Sequence, residues 1–220
     1  MDEEMKRAIS HLLRRGFRPK VVLDIGAAKG YWSLGCGQFF GEALFFMIDP
    51  LTESEPFLRQ ACDADPRFRY LLTAVGSEPG EALMNIAGDC DGSSLCHWEG
   101  VDPSQQRRVP VTTVDHLLSA GRIQTPDLVK IDVQGYELRV LQGALQMLQH
   151  AEVLIVEVNL YEFAGGYARV HEVIRFLADR QFYMFDLAGA LRRPYEDDLG
   201  ELDIVFVSAR SPLMNSNRWA

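Results

Sequence analysis

Two apolar segments that end on carboxylates, one of them running into a glycine turn, restrict this chain more than any other feature. Val21-Val22-Leu23-Asp24-Ile25 leads straight into Gly26-Ala27-Ala28-Lys29-Gly30, and Ala43-Leu44-Phe45-Phe46-Met47-Ile48 ends on Asp49. Nearly continuous apolar runs of this length read as strands covered on both faces, the habit of parallel sheets. Glycines let the backbone turn tightly and bring N–H groups up to a ligand, and an acid at the next strand end suits a ribose diol. The combination points to a nucleoside-containing cofactor at the edge of an open α/β sheet.

The spacing bears on which cofactor. A dinucleotide loop carries Gly-x-Gly-x-x-Gly, with its backbone against a pyrophosphate at a helix N-terminus. Here the order is Asp24-x-Gly26-x-x-x-Gly30, with an acid in place of the first glycine. Asp24 repels a pyrophosphate and suits a cation, and S-adenosylmethionine carries an ammonium and a sulfonium. Asp24, Gly26, Ala27 and Gly30 are therefore expected to hold S-adenosylmethionine, with Asp49 on the ribose. An NAD(P)-dependent reductase is the competing enzyme reading, disfavoured by the same acid. A packing junction with two glycines is the bland one.

Similar strands recur at 68–75, 127–133 and 153–159, separated by helical periodicity at 56–63, from 134 through about 149, and at 167–180. An amphipathic helix over 2–15 and another at about 30–40 complete the alternation. The expected fold is a doubly wound, Rossmann-like α/β sheet, mostly parallel. The segments 182–186 and 203–207 have no helix-length stretch between them, so they are expected to pair as an antiparallel edge. Periodicity fades over 76–108 apart from a short apolar piece at 82–86, which reads as an inserted loop or hairpin over the sheet. Residues 109–114 read as extended, with Asp115 capping a helix over 116–120. Residues 1–220 are expected to form one domain, the first nineteen supplying a helix.

Composition narrows the partners. The 220 residues, 47% of them hydrophobic, suffice for a sizeable core. A formal net charge of −9 argues against nucleic acid, because phosphate contacts need clustered cations. Cys36, Cys62, Cys90 and Cys96 show no metal-ligand spacing and read as reduced thiols. The acidic N-terminus is unlike a secretory signal, and no apolar run reaches membrane length. The expectation is a cytoplasmic protein without a membrane partner, acting on a small molecule, its homo-oligomeric state left open.

The strand ends also suggest chemistry. Asp132 and Glu157/Asn159 end consecutive apolar strands, about 5 Å apart if those strands are neighbours. Asp132, Glu157 and Asn159 could hold Mg²⁺ or Ca²⁺, or Asp132 and Glu157 could act as a general base and its orienting partner, or cap the next helix. By alternation Lys130 shares a face with Asp132 and reads as its ion-pair partner or a substrate contact. His97, in the insertion beside Trp98, could reach a substrate. Glu137, in the first helical turn after Gly135, reads as structural at least as readily as catalytic. No Gly-x-Ser-x-Gly elbow and no phosphate loop of the Gly-x-x-x-x-Gly-Lys type occurs.

Three stretches together resemble the FkbM family of class I S-adenosylmethionine-dependent methyltransferases. They are Val-Leu-Asp-Ile-Gly-Ala-Ala-Lys-Gly-Tyr (22–31), Val-Pro-Val-Thr-Thr-Val-Asp (109–115), and Lys-Ile-Asp-Val-Gln-Gly-Tyr-Glu (130–137) followed by Val-Leu-Gln-Gly-Ala (140–144). The resemblance implies a seven-stranded sheet with an antiparallel last strand, and O-methylation of hydroxyls on secondary metabolites or sugars. It assigns Asp24, Gly26 and Gly30 to the methionine-binding loop, Asp49 to the ribose, Ser93 and Ser94 to a serine segment near the cofactor, and Asp132 to the acid of the fourth strand. Val114 stands where leucine often precedes the aspartate, and Gln134 where glutamate is frequent. Acceptor recognition is expected from 76–108, 161–167 and 187–201, whose Trp98, Tyr161, Phe163, Tyr167 and Tyr195 suit a ring or sugar. A cofactor-binding scaffold without activity is the non-enzyme alternative.

Overall fold

Helical spacing of apolar residues shapes the first segment: α1 (Glu3–Arg14) buries Met5, Ala8, Ile9 and Leu12. Asp2 caps it by accepting a hydrogen bond from the Met5 N–H at 2.8 Å. The computed structural model describes residues 1–88, 90–97, 100–163 and 165–215. After α1 come β1 (Val21–Ile25), α2 (Tyr31–Cys36), β2 (Leu44–Asp49), α3 (Glu55–Ala64), β3 (Phe68–Leu72), β4 (Ala74–Val75), β5 (Gly80–Asn85) and β6 (Gln106–Thr112). Then follow α4 (Val114–Ser119), β7 (Leu128–Ile131), α5 (Glu137–Gln142), β8 (Val153–Asn159), α6 (Val170–Ala178), β9 (Phe182–Arg192) and β10 (Leu199–Ser208).

Seven strands form the main sheet in the order β3-β2-β1-β7-β8-β10-β9. Neighbours pair parallel except for β10, which is antiparallel to both β8 and β9. Leu23, Ile25, Val129 and Val156 pack with Val114, Val140 and Leu177 of α4, α5 and α6. Val22, Met47, Leu128 and Ile155 pack on the opposite face with Ile9, Cys36 and Leu58 of α1, α2 and α3. Strand alternation then puts Asp24, Lys130, Glu157, Asn159, Glu201 and Asp203 on that second face too. Chain order reverses between β1 and β7, where open α/β sheets hold ligands beyond the strand ends.

The structure departs from the sequence reading at several junctions. The third strand splits at Thr73, because β2 ends at Asp49, opposite Leu72, and offers no further partner. The chain then continues as β4 in a second sheet of order β4-β6-β5, whose β5–β6 pair is the antiparallel core of the insertion. Thr113, not Asp115, caps α4, accepting from the His116 N–H at 3.0 Å. Asp115 instead accepts from the Gln146 and Met147 N–H groups. The helix after β7 is short, Glu137–Gln142 where one through about 149 was expected, and Gly143 just past it lets the Gly76 carbonyl come to where a Cβ would stand 2.0 Å away. The last two strands run beyond the expected segments as a hairpin whose register shifts at three points. All four cysteines are free.

Candidate active site

Backbone contacts tie the ends of β1, β2 and β7 together. Gly26 (φ +82), Ala28 (φ +45) and Gly30 (φ +74) all adopt left-handed conformations. The Gly26 and Ala27 N–H groups both donate to the Ile48 carbonyl, at 2.9 and 3.0 Å. Ala28 N–H donates to Asp49 Oδ2 at 3.0 Å, and Leu51 N–H to Asp49 Oδ1 at 2.9 Å. A Cβ on Gly26 would stand 1.7 Å from the Asp132 carbonyl oxygen, so only glycine lets the loops after β1 and β7 approach this closely. Between them opens a cleft of about 310 Å³, walled by the 26–29 loop, Trp32, Asp49, Leu51, Asp132 and Gln134. Burial pushes the Asp49 carboxyl above its ordinary value, partly offset by hydrogen bonds from Leu51, Ser54 and Ala28.

Lys130 lines the cleft with Asp132, and the carboxylates of Asp132, Asp24 and Asp203 surround its ammonium. Lys130 Nζ donates to Asp132 Oδ2 at 2.6 Å. The Gln134 amide Nε2 donates to Asp132 Oδ1 at 3.0 Å and to Glu157 Oε1 at 3.1 Å. Burial disfavours the Lys130 ammonium, but the charges of Asp132 and Asp24 outweigh it and hold its pKa above the ordinary range. Burial likewise acts to raise Asp132, but Lys130 and the hydrogen bonds it receives keep its carboxyl below the usual value. Glu157 is pushed well up by burial and by the neighbouring Asp132 charge.

The expected site residues do not all reach the cleft. Gly26, Ala27, Asp49, Ser93, Lys130 and Asp132 line it. Asp24 lies beneath the loop, fully buried, where its Oδ2 accepts from Ser33 Oγ at 2.6 Å and anchors α2 to β1. Gly30 starts α2 against Leu58 and Met47. Ser94 is also fully buried: its Oγ donates to the Gln134 carbonyl at 2.6 Å and accepts from Cys96 N–H, which makes it a loop brace. His97 is off the cleft wall, its backbone paired with Gly165. Trp98 lies outside the described residues. Glu137 is fully buried and accepts from the Val133 and Gly135 N–H groups at 3.0 Å, bracing the loop after β7.

Asp132, Glu157 and Asn159 do not fit the expected Mg²⁺ or Ca²⁺. The Lys130 ammonium already stands 2.6 Å from Asp132 Oδ2, where it would repel a divalent cation, and the Gln134 amide bridges Asp132 and Glu157. Among the described residues no group of three His, Cys, Asp or Glu side chains could hold a metal ion. Tyr31, Trp32 and Gln134 are cleft residues that sequence reasoning set aside or passed over. For the first two, position in the first turn after the glycine loop was the available signal; Gln134 stood out only as a departure from the family pattern.

The buried acids set a pH dependence. Asp24 and Asp203 are raised to about 6 and Glu137 to about 7, each chiefly by burial. Their folded values exceed those of the unfolded chain, so stability falls as pH climbs from about 4 through 7. Calorimetry is expected to give a Tm at pH 5 that exceeds the Tm at pH 8 by at least about 2–4 °C. A Tm that holds level or rises over that interval contradicts protonated burial.

The chain is 42% identical over 152 residues to the hexuronic acid methyltransferase AglP of Haloferax volcanii, a match covering 67% of this chain and 59% of that protein. The chain thus spans less than two thirds of that relative's length. The fold resembles crystal structures of magnesium protoporphyrin IX methyltransferase from Synechocystis. The form with bound SAM has TM-score 0.55 and 12% identity, over 93% of this chain and 78% of that one. The form with bound SAH also has TM-score 0.55 and 12% identity, over 93% of this chain and 82% of that one. The family model described as the methyltransferase FkbM domain matches residues 24–184, and the chain belongs to that family.

Proposed function

We propose that this protein is an S-adenosylmethionine-dependent O-methyltransferase whose acceptor is a hydroxyl of a sugar-like molecule. The observation that carries the reading is the convergence of the Gly26–Ala28 backbone, Asp49 and Asp132 on one cleft. The residues present fit the cofactor: Asp49 offers a carboxylate to a ribose diol, and Leu51, Val75 and Met84 offer apolar wall to a base. S-adenosylmethionine, when bound, supplies a methyl group already activated by its sulfonium. The chain's task is then to align an acceptor oxygen and remove its proton. Asp132 is the group placed to do so, with Lys130 and Gln134 fixing its carboxylate and Glu157 behind it. His97, away from the cleft wall, drops out of the assignment.

A sugar acceptor is supported by the hexuronic acid named for the Haloferax volcanii relative. It is also supported by rings beside the β8 end. Tyr161 and Phe163 lie with centroids 5.8 Å apart, Phe163 and Tyr167 at 6.2 Å, and the Arg193 guanidinium stands 4.4 Å above Tyr161. Tyr161 and Phe163 are exposed, with Tyr167 buried behind them, and exposed rings of this kind stack on sugar rings. The net charge of −9 argues against nucleic acid, whose phosphates need clustered cations. No helix among the described residues is long and apolar enough to cross a membrane.

The test is calorimetric titration with S-adenosylmethionine, S-adenosylhomocysteine, NAD⁺ and NADPH, then a methyl-transfer assay on hexuronate-containing and neutral saccharides. Micromolar binding of the two sulfur ligands alone, followed by methylated saccharide, is the expected result. Nicotinamide binding overturns the cofactor assignment. Cofactor binding without transfer to any hydroxylated acceptor moves the protein to the scaffold reading.

A further inference from the structure

The loop after β7 is held in a backbone conformation that side chains rarely adopt. Gln134 has φ +54, in the left-handed region. Separate segments hold it there. Ser94 Oγ, from the insertion, donates to its carbonyl at 2.6 Å. Glu137 Oε1 accepts from the N–H groups on either side, those of Val133 and Gly135. The Tyr167 ring fills the space that a Cβ on Gly135 would need, 2.2 Å away. Backbone strain of this kind collects at functional sites, and an observed outlier is fair ground for inferring a role. Its consequence here is that the Gln134 side chain, in the cleft wall, lies between the carboxylates of Asp132 and Glu157.

We propose that Gln134 is a positioning residue for methyl transfer: its amide, braced between Asp132 and Glu157, turns the Asp132 carboxylate toward the acceptor hydroxyl. The inference rests on the methyltransferase reading above. With Lys130 Nζ on Oδ2 and Gln134 Nε2 on Oδ1, neither oxygen of Asp132 can swing, and each keeps a lone pair for the acceptor. The amide does this without adding charge. The surrounding groups leave little tolerance for more: Asp24 from β1, Lys130 from β7, Glu157 from β8, Glu201 and Asp203 from β10, Glu137 from α5 and Asp2 before α1. Burial acts to raise Asp132 and Glu157 alike, but Lys130 and the amide hold the Asp132 carboxyl below its ordinary value while Glu157 is pushed up. A glutamate at this position would place a third carboxylate against the pair and remove both donated hydrogen bonds.

Two variants test the role. Gln134→Asn tolerates the left-handed backbone and keeps an amide, but shortens its reach. It is expected to lower kcat about 10- to 100-fold with acceptor KM nearly unchanged. Gln134→Glu is expected to move the acid limb of the kcat–pH profile up by about one unit or more. Calorimetric binding of S-adenosylhomocysteine and a thermal scan establish that each variant is folded. Coincident profiles and kcat values, or a loss confined to KM, overturn the positioning role while leaving the methyltransferase reading intact. A wild-type protein that transfers no methyl overturns that reading, and this inference with it.

Discussion

Asp132→Asn is expected to cut methyl-transfer turnover by about 10²–10⁴-fold, the usual worth of a positioned general base. Asparagine preserves the size of the side chain and removes the carboxylate proposed above to take the acceptor proton. The depressed pKa of Asp132 does not disqualify it. As the acceptor oxygen bonds to carbon it acquires positive charge and its proton becomes strongly acidic, so even a weak base suffices late in the step. The substitution also strips Lys130 of its partner at 2.6 Å, and that lysine is only 6% exposed. Some loss of stability is therefore expected, because a buried charge without its partner is costly. Turnover is to be measured at a temperature where a thermal scan shows the variant folded and calorimetry shows S-adenosylhomocysteine still bound. A folded, ligand-binding variant with wild-type turnover would falsify the assignment of Asp132 as the base.

Gly26→Ala acts on the backbone. The added Cβ would meet the Asp132 carbonyl oxygen at 1.7 Å and its carbonyl carbon at 2.8 Å, and no side-chain rotation relieves a clash with main chain. Gly26 also has φ +82, where alanine is strained. The loops after β1 and β7 have to separate, which removes the cleft wall and lowers Tm by about 2–10 °C. S-adenosylhomocysteine binding is expected to disappear from calorimetry. Gly41→Ala is the control: nothing lies within 4 Å of its Cβ and its φ is not positive. If Gly26→Ala binds ligand as the unmodified chain does, the two loops do not meet as described.

What the chain declares by itself is its alternation. Nearly continuous apolar runs ending on Asp24-Ile25, Asp49, Asp132 and Asn159 mark strands buried on both faces, the habit of a parallel sheet between helices. The missing helix between the last two strands made β10 antiparallel legible. Period-two alternation was enough to put Lys130 beside Asp132, as their hydrogen bond bears out. These features are local, and local sequence determines them.

Tertiary structure decided everything that depends on a distant partner. Thr73 breaks a strand only because β2 stops at Asp49, and the Asp115 side chain turns from its own helix to the Gln146 and Met147 N–H groups because they lie within reach. Asp24 and Ser94 look like ligand-binding residues in one dimension but are buried by α2 and by the loop after β7. Count and sign of the acids were readable; their ionisation was not, since it follows from how deeply each is buried and how near it stands to Lys130. The Gln134 amide bridge needs a left-handed residue held by contacts from three segments, and no stretch of sequence on its own contains those contacts.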